Sequence, residues 1–412
     1  MRKRMLSLFG VAAVVTLSSL ACGPVSGETD KAASGGQDLQ GTWAQKYQIP
    51  LQRSARDAGK ELLTEAEVAQ REAERDKPKP PAPLRGERIA KRGTLEDLSG
   101  AYDTTFEVTP ETKRPIGRRT SLVVDPPDGK IPPRTAAVQK RMAELRDFQL
   151  ALMQSVETCK HSQEINCYGV KYTGTVSPRH NEPPPSYLAV DINGDRVINR
   201  ADGPEDYGLG ERCLSGRLPV IGTLQRIVQS PDSVSILYEG FQRVIPITTN
   251  PHLPPTVRQR FGDARGHWEG NTLVVDVINF TAKTDFQGSR ENLHLIERFT
   301  RTDANTLEYV VRIEDPTAWE KPWTVQVDMA KQDDQPYRIY DEPRCHDGNY
   351  ALMDILVGAR MMDKAFAEHR GPDPATQCIL ICGQGNPEYA AIRMRGRGYA
   401  PVDGTPQATG RK

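Results

Sequence analysis

The sequence predicts a mainly β protein with α segments: an antiparallel meander curled into a barrel or a sandwich, behind an N-terminal helical and extended region. Three observations predict it. From Leu224 onward, short apolar runs recur at a pitch of about ten residues with turn-forming sequence between them, the spacing of strands in an all-β domain. Two of those runs alternate cleanly. Leu307, Tyr309, Val311 and Ile313 share one face, and Val325, Val327 and Met329 share another, with Gln326 and Asp328 pointing away. Helical spacing of apolar residues is confined to a few segments upstream and one downstream.

The basic start Met1 to Arg4, the apolar run from Met5 to Leu17 and the small residues up to Ala21 predict an export signal over residues 1–21, too short to span a bilayer. Cleavage before Cys22 leaves a cysteine that can take lipid, as in bacterial lipoproteins. The stretch from Ser19 to Ala21 also suits ordinary cleavage, so lipid-anchored and freely soluble export both stay open. Residues 22–37 read as a tether. Residues 38–133 read as an extended and helical region: Asp38 to Ile49 and Asp97 to Val108 share an Asp-Leu-x-Gly-x-aromatic start, Ala58 to Asp76 is helical, a proline-rich linker follows, and Ser121 to Pro133 begins as a short strand.

Residues 134–210 combine a helix with a polar loop segment. That helix runs from Thr135 to about Thr158, with Val138, Met142, Leu145, Leu150 and Met153 on or near one stripe. Residues 211–370 form the β-domain, with strands at Leu224–Gln229, Val234–Tyr238, Gln242–Ile247, Thr272–Phe280, Leu293–Thr300, Leu307–Glu314 and Thr324–Met329. Its closing helix, from Asn349, carries the stripe Leu352, Ile355, Leu356, Ala359, Met362 and Phe366 for packing on the sheet. Residues 371–412 read as a loose tail.

The 54 basic and 54 acidic side chains cancel, which argues against nucleic acid as a partner and leaves a lipid anchor as the only expected link to a membrane. Seven cysteines suit an oxidising compartment. With Cys22 spent on the signal or on lipid, Cys159, Cys167, Cys213, Cys345, Cys378 and Cys382 remain for disulfides. Local pairs Cys159–Cys167 and Cys378–Cys382 would leave Cys213–Cys345 as a long staple, and other pairings stay open.

Several segments, among them Gly266 to Phe286, Glu291 to Val325 and Cys345 to Arg360, together with Leu122 to Pro133, Pro204 to Leu214 and Asn250 to Asp263, resemble an uncharacterised family of exported bacterial proteins over roughly residues 97–369. The resemblance implies export and brings no established activity or catalytic residue. Members carry Asp where this chain has Asn271, and Glu where it has Asp347.

Residues 191–202 have the oxygen spacing of a calcium loop: Asp191, Asn193, Asp195, Asn199 and Asp202, with the Val197 carbonyl between them. Arg196 stands where such a loop wants glycine, and the competing reading is a turn whose side chains cap their own backbone. The loop is particular to this sequence rather than to the family. Asp276 stands among Val274, Ile278 and Phe280 on one face of a predicted strand, which makes it either an acid/base group or a tie to a neighbouring loop. His267 and Glu269 sit either at a barrel mouth or at a hairpin end plugged by Trp268. His346 lines a pocket or anchors a helix junction. His294 and Glu297 fall on opposite faces, and Trp319 and Trp323 suit sugar stacking or core packing. No nucleophile elbow, zinc-protease, phosphate-loop or dinucleotide pattern appears, so calcium is the one cofactor the sequence suggests. Two functions follow. The first is an exported cell-envelope or periplasmic protein binding an unknown ligand or envelope component. The second is a secreted hydrolase or lyase on a polymer such as a polysaccharide, using Asp276 and Glu269 with His267 or His346.

Overall fold

A computed structural model describes residues 37–77, 114–160, 170–183, 199–207, 216–238, 241–332 and 350–377. Ten strands carry the fold: β1 (Gly41–Gln45), β2 (Val123–Asp125), β3 (Gln225–Gln229), β4 (Ser233–Tyr238), β5 (Phe241–Pro246), β6 (Asp263–Glu269), β7 (Thr272–Ile278), β8 (His294–Asp303), β9 (Thr306–Glu314) and β10 (Trp323–Lys331). Nine of them pair in the order β5-β4-β3-β1-β10-β9-β8-β7-β6, every neighbour antiparallel, and β2 pairs with β10 beside them.

The sheet curls into a nearly closed barrel, so of the two expected architectures the barrel is the one formed. An odd number of alternating strands leaves the first and last pointing the same way, so closure is parallel. An isolated parallel bridge, Ile247–Gly266, with Thr248 N–H donating to the Gly266 carbonyl at 2.9 Å, makes that seam. Closure removes the exposed edge that an open sheet would leave.

The expected strands are found with their ends shifted by up to three residues, and β6 is an addition. Its run Asp-Ala-Arg-Gly-His-Trp-Glu has small and polar residues where a strand pattern wants large apolar ones, and its pairing with β7 supplies what its own sequence lacks. The sheet crosses the expected boundary between residues 38–133 and 211–370: β1 lies between β3 and β10, and β2 pairs with β10. Trp43, fully buried, ties β1 into the core and donates its ring N–H to the Leu39 carbonyl at 3.0 Å.

The alternating residues point inward as predicted. Leu273, Val275, Val277, Leu295, Val311 and Val325 are all fully buried, so the interior is filled rather than hollow. Trp319 and Trp323 close the packing, edge to face with rings 5.5 Å apart, and Phe286 stacks on Trp323. Core packing, not sugar stacking, is their role.

Among the described residues there are three α-helices: α1 (Glu65–Arg75), α2 (Ala136–Met153) and α3 (Tyr350–Ala367). α1 starts later than predicted because Thr64 and Glu67 form a capping box that fixes its first turn. α2 starts where predicted, with Thr135 as its cap, and buries Val138, Leu145, Phe148, Leu152 and Met153. The predicted partner of α3 is corrected. Its Leu352, Ile355, Leu356 and Ala359 pack on Ala201 and Tyr207, from the polar middle segment, rather than on the sheet, and Phe366 is exposed. Cys159 is fully buried and disulfide-bonded. The other expected disulfide cysteines, and Cys22, lie outside the described residues.

Candidate functional site

Two polar clusters stand out, one on each side of the barrel wall. The inner one lies on the inward faces of β5, β8 and β9. Arg243, on β5, donates two hydrogen bonds to the Glu297 carboxylate, at 2.7 and 2.9 Å, and Tyr309 O–H donates to the same carboxylate at 2.8 Å. The side chains of Arg243 and Glu297 are 3% and 1% exposed. Burial opposes charge on the guanidinium, and Glu297 more than offsets it, so Arg243 is held above its ordinary pKa. Burial also pushes the Tyr238 phenol up to about 12 and holds Tyr309 well above its usual value. Apart from Arg243 Nε, which is buried without a hydrogen-bond partner, the set satisfies itself away from solvent, the arrangement of a structural brace.

The outer cluster is built around Asp276. Leu273, Val275 and Val277 take the inner face of β7, so Val274, Asp276 and Ile278 face outward. The sequence places Asp276 as a buried carboxylate, and the structure corrects this: its side chain is 43% exposed. β8 runs alongside, with Asp276 opposite Ile296, which brings His294 within diagonal reach. His294 Nε2 lies 2.6 Å from Asp276 Oδ1, and its Nδ1 lies 3.5 Å from the Glu314 carboxylate. From the β5–β6 loop, His252 Nε2 reaches Asp276 Oδ2 at 3.2 Å, and its Nδ1 reaches Asp263 at 3.0 Å. Arg265 pairs with Asp263, and Arg312 with Glu314, at the two ends of the chain.

The chemistry of this chain follows from its stoichiometry. Each imidazole stands between two carboxylates, and only the doubly protonated ring donates to both. The hydrogen bond to Asp276 accordingly raises the His294 pKa against a smaller opposing effect of burial. The bond from His294, helped by that from His252, lowers the pKa of Asp276, with burial opposing. In its protonated form the His294 ring donates from both nitrogens and keeps no free lone pair, so that form does not serve as a general base. Among the described residues, no group of three or more His, Cys, Asp or Glu side chains is arranged to hold a metal ion.

What the chain holds is the loop that leads into β6. Leu253 N–H donates to Asp263 at 2.7 Å, Asn279 Nδ2 donates to the Leu253 carbonyl at 2.9 Å, and Gln259 N–H donates to the Asn279 carbonyl at 2.8 Å. Asn279 adopts φ of 60°, a left-handed conformation that Asn tolerates better than most residues. Of the two readings of Asp276, the loop tie fits these contacts.

The other expected catalytic residues do not join it. Glu269 faces the same side but pairs with Thr272, four positions from Asp276 along β7, or roughly 13 Å at the rise of a strand. Arg298 and then His267 hold the Glu269 carboxylate, lowering its pKa. Trp268 packs partly buried against the core between them, the hairpin-end arrangement. His346 lies outside the described residues, as do Asp191, Asn193, Asp195 and Val197 of the calcium loop. Of that loop's remaining residues, Asn199 is buried and donates to the Gln377 carbonyl at 2.7 Å, and Asp202 stands 3.4 Å from Arg200.

Sequence reading missed His252. Strand parity was enough to place His294 on the face opposite Glu297, but nothing local reveals that a loop histidine folds back onto β7.

One cleft lies apart from both clusters, where the start of α2 meets the 285–289 turn. It is an open cleft of about 440 Å³, lined by Ile131, Pro132, Pro133 and Met142 together with Arg134 and three glutamines.

No family model, curated protein or solved structure matches the chain.

Proposed function

We propose that this chain is a non-catalytic binding protein of the cell envelope or periplasm, exported through its N-terminal signal and attached to a membrane only through lipid on Cys22. In this reading the filled barrel is a scaffold and the ligand occupies the cleft beside α2. The observation that carries it is the cleft itself: about 440 Å³, within the size range of small-molecule sites, lined by apolar residues and a few polar groups. The polymer hydrolase reading is disfavoured by the separation of Asp276 from Glu269 and by the engagement of both Asp276 oxygens with imidazoles. Calcium, taken by Asp191, Asn193, Asp195, Val197, Asn199 and Asp202, would be a structural staple of the middle segment. A thermal melt in EDTA and in millimolar calcium tests it, with loss of the calcium gain expected in Asp195→Ala.

The test of binding is a methyl-labelled NMR screen of the full chain against a fragment library. Saturable shifts concentrated at Met142 and Ile131 are the expected result. Shifts concentrated instead at residues around Asp276, or no saturable shift anywhere, overturn the cleft as the site.

A further inference from the structure

We infer that the cleft beside α2 takes a small amphipathic organic anion, its carboxylate on Arg134 and its apolar body on Ile131, Pro133 and Met142. This rests on the reading that the cleft is a ligand site, and it adds the ligand's chemical class.

Charge comes first. Among the described residues no carboxylate pairs with Arg134: its guanidinium's hydrogen-bond partners are the neutral carbonyl and side-chain oxygens of Gln287. Arg134 is nevertheless fixed. Its Nε donates to the Gln287 carbonyl at 2.9 Å and its Nη2 to the Gln287 side-chain oxygen at 2.8 Å, so one edge of the guanidinium is consumed and the plane is set. The edge bearing Nη1 has no partner among the described residues, and Arg134 is one of the residues that line the cleft. A planar fork with one free edge suits a carboxylate, which accepts two parallel N–H bonds.

The surroundings agree. The Gln52 side-chain oxygen accepts from Ile131 N–H and the Gln139 amide donates to the Arg134 carbonyl, so these glutamines hold the wall in place without bringing negative charge. α2 begins two residues after Arg134 and has no acidic residue in its first turn, so its positive dipole end is not neutralised locally. Ile131, Pro133 and Met142 provide an apolar surface beside the cation. A purely inorganic anion would leave that surface idle, and a neutral hydrocarbon would leave Nη1 unpaired.

The experiment titrates the purified full chain with octanoate, 1-octanol and acetate, each below its aggregation limit, reading the Met142 methyl by NMR and heat by calorimetry. Saturable one-to-one binding of octanoate, at least tenfold tighter than 1-octanol and with acetate weaker still, is expected. Arg134→Gln should bring octanoate down to the affinity of 1-octanol and leave 1-octanol unchanged. Because loss of Arg134 also frees Gln287, Met142→Glu provides a second arm that leaves that bond intact: it should abolish octanoate binding, and Met142→Leu should retain it. Equal affinity for octanoate and 1-octanol, or octanoate affinity indifferent to both Arg134→Gln and Met142→Glu, overturns the anion while leaving the cleft a ligand site. If neither compound binds, the amphipathic class is wrong, and the fragment screen separately decides whether the cleft binds anything.

Discussion

The inside and the outside of the β8 wall use the same chemistry to opposite ends. Glu297 faces inward and meets Arg243, and His294, three residues earlier, faces outward and meets Asp276. Glu297 is 1% exposed and the Asp276 side chain is 43% exposed. Inside, a guanidinium that does not titrate near neutrality fills the role of cation, and both partners are locked. Outside, imidazoles fill it, and water reaches the pair. The contrast teaches that burial and the choice of cation, rather than the number of hydrogen bonds, separate a permanent brace from a tie that can be released.

The largest expected effect comes from breaking the inner pair. Glu297→Gln leaves a buried guanidinium without its counter-charge and should cost ~3–5 kcal/mol in urea denaturation. The double change Arg243→Met, Glu297→Leu should recover most of that loss, because well-packed apolar side chains replace both charges. A double variant as unstable as the single would mean that the pair stabilises the fold by more than mutual neutralisation.

Next comes a carboxylate buried in a turn rather than against a bidentate guanidinium. Burial pushes the Asp285 pKa up to about 6, against a hydrogen bond from Gly288 N–H. The folded form therefore prefers the acid, and folding becomes costlier as pH rises from the ordinary value of 3.8 toward 6. Asp285→Asn keeps the acceptor and removes the charge, so it should stabilise the protein at pH 7 by about 1–3 kcal/mol and flatten that pH dependence. Unchanged stability at pH 7 would contradict a carboxylate strained by burial.

The outer tie is weaker. Asp276→Asn should cost no more than about 1 kcal/mol, the ceiling for a solvent-reached ion pair. Its clearer signature is pH. The His294 pKa is raised, so its contribution is present below 6.5 and is lost as pH climbs through the higher folded value. The Asp276 pKa is lowered, so its contribution is present above 3.8 and is lost as pH falls through the lower folded value. Amide hydrogen-exchange protection of residues 250–262, taken relative to the intrinsic rate at each pH, should therefore be highest between those limits and fall on the alkaline side. In His294→Gln that alkaline loss of protection should disappear. Its persistence would assign the effect to another group.

The smallest effect belongs to Glu269→Gln. That carboxylate is solvent-exposed beside Arg298 and His267, and no resolvable change in melting temperature is expected. A large loss would mean that the exposed hairpin end carries more than its contacts show.

How much of this was legible in the sequence depends on the range of the contacts involved. The alternation of Leu307, Tyr309, Val311 and Ile313 was enough to orient β9, and the same parity put His294 and Glu297 on opposite faces of β8. Parity does not say which of two faces a barrel keeps inside when both carry apolar residues. Val274, Ile278 and Phe280 made the Asp276 face look like a core face, although Phe280 lies past the end of β7, where the chain turns inward and is buried. The cleft has no sequence signature, because its wall comes from a proline run, a helix start and a turn distant along the chain.

The sequence by itself determined most of the strands and the approximate places of the three helices, since these follow from side-chain periodicity. Only the tertiary structure decided that β1 joins β3 to β10, that an odd strand count closes with a parallel seam, that His252 folds back to Asp276, and that α3 rests on Ala201 and Tyr207. Those outcomes depend on which distant surfaces fit together once the core is filled. Such complementarity belongs to pairs of segments and leaves no periodic trace in either one alone.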